Sequence, residues 1–188
     1  MIGFAMCGSY CTHAEALKVL KVLSEKHDTL PILSENAYCT DTRFGQSSNL
    51  ILELERLSGH PVIHTIKEAE PLGPKVSLDC LVICPCTGNT LAKLALGVTD
   101  TAVTMAAKAH LRCGRPLVIA LASNDAMSAN LGNIARLLNR KNVYFTPMIQ
   151  DDTVNKPHSM VCDFGKVELT MDNAMKGLQT RPIFLEKR

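Results

Sequence analysis

Three short stretches carry side chains whose types and spacing suit ligand chemistry: GSYCTH (Gly8–His13), CTGN (Cys86–Asn89) and SNDAMSA (Ser123–Ala129). The first joins a small residue, Gly8, to the hydroxyls of Ser9 and Thr12, with a helical pattern directly behind it. The first N–H groups of a helix have no intrahelical partner and favour an anion, so this turn suits a phosphate. Capping of the same helix by the Thr12 hydroxyl accounts for the residues equally well. The turn is not a GxGxxG fingerprint, since only Gly8 is present, and a nicotinamide dinucleotide on this chain is disfavoured. In the second stretch the Asn89 side chain can cap a helix while the N–H groups of the Cys-Thr-Gly turn face a ligand. In the third, the Asn124 amide can donate to a carboxylate without bringing a charge of its own.

Such loops need a rigid frame, and the chain alternates strand and helix patterns throughout. Short apolar runs read as strands at Ile2–Met6, Asp28–Ser34, Pro61–Ile66, Asp79–Pro85, Pro116–Ala122 and, last, Asn142–Pro147. Pro31 suits an edge or a strand start. Helical spacing follows at Ala16 to about Lys26, Gln46–Leu57 ended by Gly59, Asn89 to Gly97, Thr101–Arg112, Leu131–Leu138 and Lys166–Leu178. Glu35–Arg43 reads as a polar loop, and Glu70–Lys75, with two prolines and a glycine, as another. The expected fold is α/β, a doubly wound, flavodoxin- or Rossmann-like three-layer parallel sheet in a single domain over 1–188, with a C-terminal helix near 165–180. In that fold ligands sit beyond the carboxyl ends of the strands, where the three polar stretches fall.

Composition excludes several functions. The chain has 188 residues, 46% hydrophobic, with 20 basic and 18 acidic side chains and a net charge of +2. No basic run with interleaved aromatics appears, which argues against nucleic acid. Ile2–Met6 is too short for a membrane span or a signal-peptide core, so the expectation is a cytoplasmic protein with no membrane partner. Eight cysteines are expected as thiols. Cys84 and Cys86 are separated by Pro85 alone, Cys7 and Cys11 lack a matching pair, and no metal is expected.

The stretch PCTGNTLAKLALGVTDTAVTMAAKA (Pro85–Ala109) resembles the PASANT segment of the homo-oligomeric flavin-containing decarboxylases. The resemblance implies FMN as cofactor, held by Gly8 and Ser9 of the first turn and by Cys86, Thr87, Gly88, Asn89 and Thr90 of the second. Ser34 matches a residue that borders the flavin in relatives, and Thr104 a hydroxyl residue beyond the PASANT helix. His64 stands where relatives carry a catalytic histidine, although a histidine at a strand end is also commonly structural. The substrate-carboxylate motif PAMN..M becomes LASNDAM, keeping Asn124 and Met127 and replacing proline and the first methionine by Leu121 and Ser123. Asn124 is thereby implied in both substrate binding and catalysis, with Met127 beside it. Cys162, in SMVCDFG, superficially matches a lid cysteine, but its neighbours do not.

From IHTIKEAEPLGPK to QDD…KP.SMV the chain is similar to a spore-specific branch of these flavoproteins. That similarity implies one half of a two-part oxidoreductase, working with a separate dehydrogenase-like A subunit that would carry NAD(P). It also implies a cyclic dicarboxylate, pyridine-2,6-dicarboxylate, as product, and the mother cell of a sporulating bacterium as location. A stand-alone flavin-dependent decarboxylase of a carboxy-cysteine compound and a structural partner that has lost flavin are the alternatives. A trimer-based homo-oligomer is expected, with the small-residue helix Thr101–Leu111 as packing face; burial within one chain explains that helix too.

Overall fold

Residues 1–186 are described by a computed structural model. Five strands form its parallel core: β1 (Ile2–Met6), β2 (Thr29–Leu33), β3 (Cys80–Cys86), β4 (Leu117–Ser123) and β5 (Val143–Phe145). They are ordered β2-β1-β3-β4-β5, so the strand order reverses between β1 and β3. Among the described residues, eight α-helices cover the faces: α1 (His13–Ser24), α2 (Glu35–Cys39), α3 (Ser47–Ser58), α4 (Ile66–Ala69), α5 (Gly88–Leu96), α6 (Ala102–Leu111), α7 (Leu131–Leu138) and α8 (Val167–Met175).

Continuous apolar runs make these strands because both faces are buried. Alternate residues serve opposite layers. Phe4, Met6, Val82 and Val118 pack with Leu20 of α1, Leu54 of α3 and Met171 of α8. Ala5, Leu81, Ile83 and Ile119 pack with Leu91 of α5, Ala106 of α6 and Leu137 of α7. Gly59 and Gly97 end α3 and α5 in the left-handed conformation, at φ 73° and 76°, which costs glycine no Cβ clash. Pro31 lies on β2, at the end of the strand order, as its missing N–H requires.

Three segments differ from the sequence expectation. Pro61–Ile66 is not a strand: Ile63 alone bridges Ile32, and the capping box of Thr65 and Glu68 then turns the chain into α4. Glu35–Arg43 is not all loop, because Ser34 accepts from the Ala37 N–H and Ala37 buries its methyl, starting α2. β5 is not the last strand. The chain continues through β6 (Met148–Ile149), β7 (Met160–Cys162) and β8 (Phe184–Leu185), each too short to leave a periodic signal. β7 runs antiparallel beside the carboxyl end of β4, pairing Ala122 with Val161 and Ser123 with Met160. The helix expected at Thr101–Arg112 is present as α6 and buries Ala102, Val103, Ala106, Ala107 and Ala109 within its own chain, the second of the two explanations offered for its small-residue pattern.

Candidate functional site

The loops leaving β1, β3 and β4 enclose a cavity of about 830 Å³, within the roughly 300–1,000 Å³ of small-molecule and cofactor sites. It opens where the strand order reverses, as expected for a doubly wound sheet.

The β1 loop is folded by its own polar atoms. The Thr12 hydroxyl donates to the Ser9 carbonyl at 2.8 Å and approaches the Ser9 hydroxyl at 3.2 Å. Thr12 therefore does not cap α1 with its side chain; a 3-10 turn over Tyr10–Thr12 leads into the helix, and the His13 N–H donates to the Tyr10 carbonyl. The His13 ring bonds the Cys7 carbonyl at 2.8 Å; a carbonyl only accepts, so Nε2 carries the proton. Burial holds His13 below its ordinary pKa, against that bond.

The β3 loop is capped by Thr87, whose side chain accepts from the Thr90 N–H at 3.3 Å. The cap expected of Asn89 thus belongs to Thr87, two residues earlier, and Asn89 stands exposed on the cavity wall. The Thr90 hydroxyl contacts Cys7 Sγ at 3.3 Å and ties α5 to β1 from below.

Gly88 is where the β3 and β4 loops meet. A Cβ there would lie 2.5 Å from Ser123 Oγ and 2.6 Å from both Asn130 Nδ2 and Asp125 Oδ1. These atoms form one network: Asp125 Oδ1 accepts from Ser123 Oγ at 2.5 Å and from Asn130 Nδ2 at 2.9 Å. The Ser123 hydroxyl foremost, aided by Asn130 and opposed by burial, holds the Asp125 carboxyl below its usual range. Its folded pKa is therefore lower than the unfolded value of 3.8. The stabilisation is complete above that pH and is lost as pH falls through the lowered folded value. Asp125→Asn should flatten the fall in Tm between about pH 5 and pH 3; parallel slopes for variant and wild type would contradict the network.

The structure brings Gly8, Ser9, Thr87, Gly88, Asn89 and Asn124 to one cavity. The other sequence candidates lie elsewhere. Ser34 caps α2, and Thr104 is 1% exposed in the capping box that begins α6. Thr90 and Cys86 are buried behind the wall. Met127 is on the rim, its N–H donating to the His158 carbonyl at 2.9 Å. His64 stacks on Tyr38, centroids 3.8 Å apart and planes 6° apart, with Nδ1 3.5 Å from Glu68 Oε2. It lies beyond the β2 edge, outside its own chain's cavity.

Asp125, Asn130, Lys156 and His158 were not among the sequence candidates. Asp125 directly follows Asn124 and could have been found as a charged residue on a strand-to-helix loop. Lys156 and His158 belong to an aperiodic polar stretch, residues 150–159, which the QDD…KP.SMV resemblance spans without giving it a role.

Cys162 is buried, and burial, with the charge of Asp163 second, raises its thiol far above the ordinary range. Burial likewise raises Cys7 to about 11, Thr90 opposing, and raises Cys80, Cys84 and Cys86 well above the ordinary thiol range. The exposed thiols are Cys11, Cys39 and Cys113. A disulfide reagent at mild alkaline pH should modify these three quickly and the other five only on unfolding. Fast modification of Cys162 would contradict the packing.

The Flavoprotein family model matches residues 2–175. The chain is 41% identical over 186 residues, 98% of its length and 93% of the relative's, to the B subunit of dipicolinate synthase from Bacillus subtilis (strain 168). A crystal structure of the dipicolinate synthase B subunit from Bacillus halodurans C superposes with a TM-score of 0.91 at 40% identity, over 100% of this chain and 96% of that one. The FMN-dependent cysteine decarboxylase SpaF shares the fold, with a TM-score of 0.66 at 21% identity over 92% and 95% of the two chains. With its doubly wound sheet and its cavity at the point of strand reversal, the chain belongs to the flavoprotein family.

Proposed function

We propose that this chain holds FMN in the β1–β3–β4 cavity and is the B subunit of a dipicolinate synthase. With the A subunit of that enzyme it would convert a dihydrodipicolinate-type precursor to pyridine-2,6-dicarboxylate, in the mother-cell cytoplasm of a sporulating bacterium. The observation that carries the reading is the 41% identity, over nearly the whole chain, to the dipicolinate synthase B subunit.

The site's chemistry fits the cofactor. The β1 turn, Gly8–Thr12, lines the cavity and runs through a 3-10 turn (Tyr10–Thr12) into α1, so the N–H groups at the start of that turn suit an anion together with the hydroxyl of Ser9. Thr87 sets the direction of α5, and Gly88 keeps the wall thin where a side chain would displace the Asp125 network. Asn89 and Asn124 present neutral polar groups to the cavity, which suits an anionic cofactor and an anionic substrate. When bound, FMN supplies a two-electron acceptor for dehydrogenation. The chain's part is to orient the dicarboxylate, with Asn124 donating to a carboxylate oxygen and Met127 flanking it. Ser34, Cys86, Thr90 and Thr104 act in this reading by fixing the backbone behind the cavity. His64 keeps a catalytic role only if a neighbouring copy presents it.

NAD(P) belongs on the dehydrogenase-like A subunit. The reading also includes a trimer-based homo-oligomer, and a stable monomer in gel filtration at micromolar concentration would contradict that part. The decisive experiment is reconstitution of the two purified subunits with and without FMN. Product formation that requires both subunits and the flavin is expected. Full activity with a nicotinamide cofactor and no flavin would exclude electron transfer through this chain. Decarboxylation of a cysteine-terminated compound by this chain alone would instead support the decarboxylase alternative.

A further inference from the structure

One wall of the cavity comes from residues 150–159, a turn between β6 and β7. It is held in place at several points. Gln150 Nε2 donates to the Pro157 carbonyl at 2.6 Å. Asp152 Oδ1 accepts from the N–H groups of Val154 and Asn155 at 3.2 and 2.9 Å. Around Lys156, its N–H donates to the Asp152 carbonyl at 3.1 Å, and its carbonyl accepts from Ser159 at 3.0 Å. The Met127–His158 bond fastens the turn to the loop that carries Asn124.

Lys156 is the one lysine or arginine among the described residues lining the cavity. Its Nζ is 3.7 Å from Asp151 Oδ2, longer than a hydrogen-bonded ion pair, and its side chain is 60% exposed. So long and exposed a pair contributes little, and the ammonium can turn to an incoming anion at small cost. Asp125, also on the wall, is engaged by Ser123 and Asn130. A dicarboxylate entering this cavity meets a neutral amide at Asn124 and a point cation at Lys156, on two loops bonded to each other.

The geometry points to Lys156 as the residue that selects a dicarboxylate, its ammonium pairing with one carboxylate while the Asn124 amide donates to the other. This assignment rests on the cavity being the dicarboxylate site proposed above. A monocarboxylate would use Asn124 alone and forgo the ion pair. Asp151 faces the ammonium at 3.7 Å, and the 60% exposed lysine side chain makes no contribution to the core.

Dipicolinate and picolinate, its monocarboxylate counterpart, are titrated into FMN-loaded protein, alone and with the A subunit of the synthase. Lys156→Met should weaken dipicolinate binding roughly 10- to 100-fold, the scale of a hydrogen bond to a charged group. It should change picolinate binding far less and leave FMN retention and Tm at wild-type values. Lys156→Arg should stay close to wild type for dipicolinate. Dipicolinate binding that is normal in wild type and unchanged in Lys156→Met overturns the assignment and leaves the dicarboxylate reading standing. Absence of dipicolinate binding by the wild type in both conditions overturns the two together. Loss of FMN from Lys156→Met with dipicolinate affinity kept would assign the lysine to the cofactor, and overturns the proposal as well.

Discussion

Gly88→Ala is expected to strip FMN from the protein and to lower its Tm. The added methyl would sit within 2.6 Å of three polar atoms, none of them at the end of a long flexible chain. Either the first turn of α5 moves outward or the Ser123–Asp125–Asn130 network opens. Overpacking of this kind costs about 1–3 kcal/mol, and for a domain of this size each kcal/mol lowers Tm by about 2–4 °C. The flavin should suffer more than the fold, because the same displacement shifts both the Thr87–Asn89 turn and Asn124. Gly97→Ala is the control. It ends the same helix at φ 76° in open space, so a side chain there adds backbone strain of about 1–2 kcal/mol remote from the cavity. It should reduce Tm comparably and leave FMN affinity unchanged. Equal flavin loss in both variants would show that binding merely follows stability.

The second large effect separates Asn89 from Asn124 by which ligand is lost. Asn89 is the second residue of α5, exposed on the cavity wall. A carboxylate there complements the helix dipole, so Asn89→Asp should hold or raise stability, by about 0.3–1 kcal/mol. The same charge would face the cavity that is to hold the anionic cofactor, so FMN affinity should fall while Tm does not. Asn124→Ala should do the reverse by ligand: FMN is retained, and dipicolinate binding or turnover loses about 1.5–3 kcal/mol, as for a hydrogen bond to a charged group. Titrations of each variant with FMN and with dipicolinate check this division. Parallel loss of both ligands in both variants would mean that the rim unfolds as a whole.

The parallel core was legible because each of its long strands is buried on two faces and so appears as an unbroken apolar run. IGFAM, CLVICPC and LVIALAS show this directly. The alternation with helices then implied the strand reversal and hence the place of the cavity. β6, β7 and β8 were illegible because two or three residues carry no period. PVIHTI has strand composition, yet Glu68 reaches back to the Thr65 N–H, and that local cap outweighs the weak pairing offered by Pro31. At the site, the motif residues next to strand ends were readable, since a strand end fixes where its loop must go. Ser34 and Thr104 were readable as small hydroxyl residues, but helix capping uses the same residue types as ligand binding, and both sit on caps. Lys156 depends on a turn folded back against the Asn124 loop, a contact between segments that no spacing in the sequence encodes.

Equilibrium dialysis of purified wild-type and Gly88→Ala protein against FMN measures whether the cavity at the carboxyl ends of β1, β3 and β4 holds the cofactor. Saturable uptake of one FMN per chain by the wild type, abolished or greatly weakened in Gly88→Ala while Gly97→Ala binds normally, is the predicted result. A wild-type protein that takes up no FMN, or a Gly88→Ala variant that binds it as tightly as the wild type, would contradict the account.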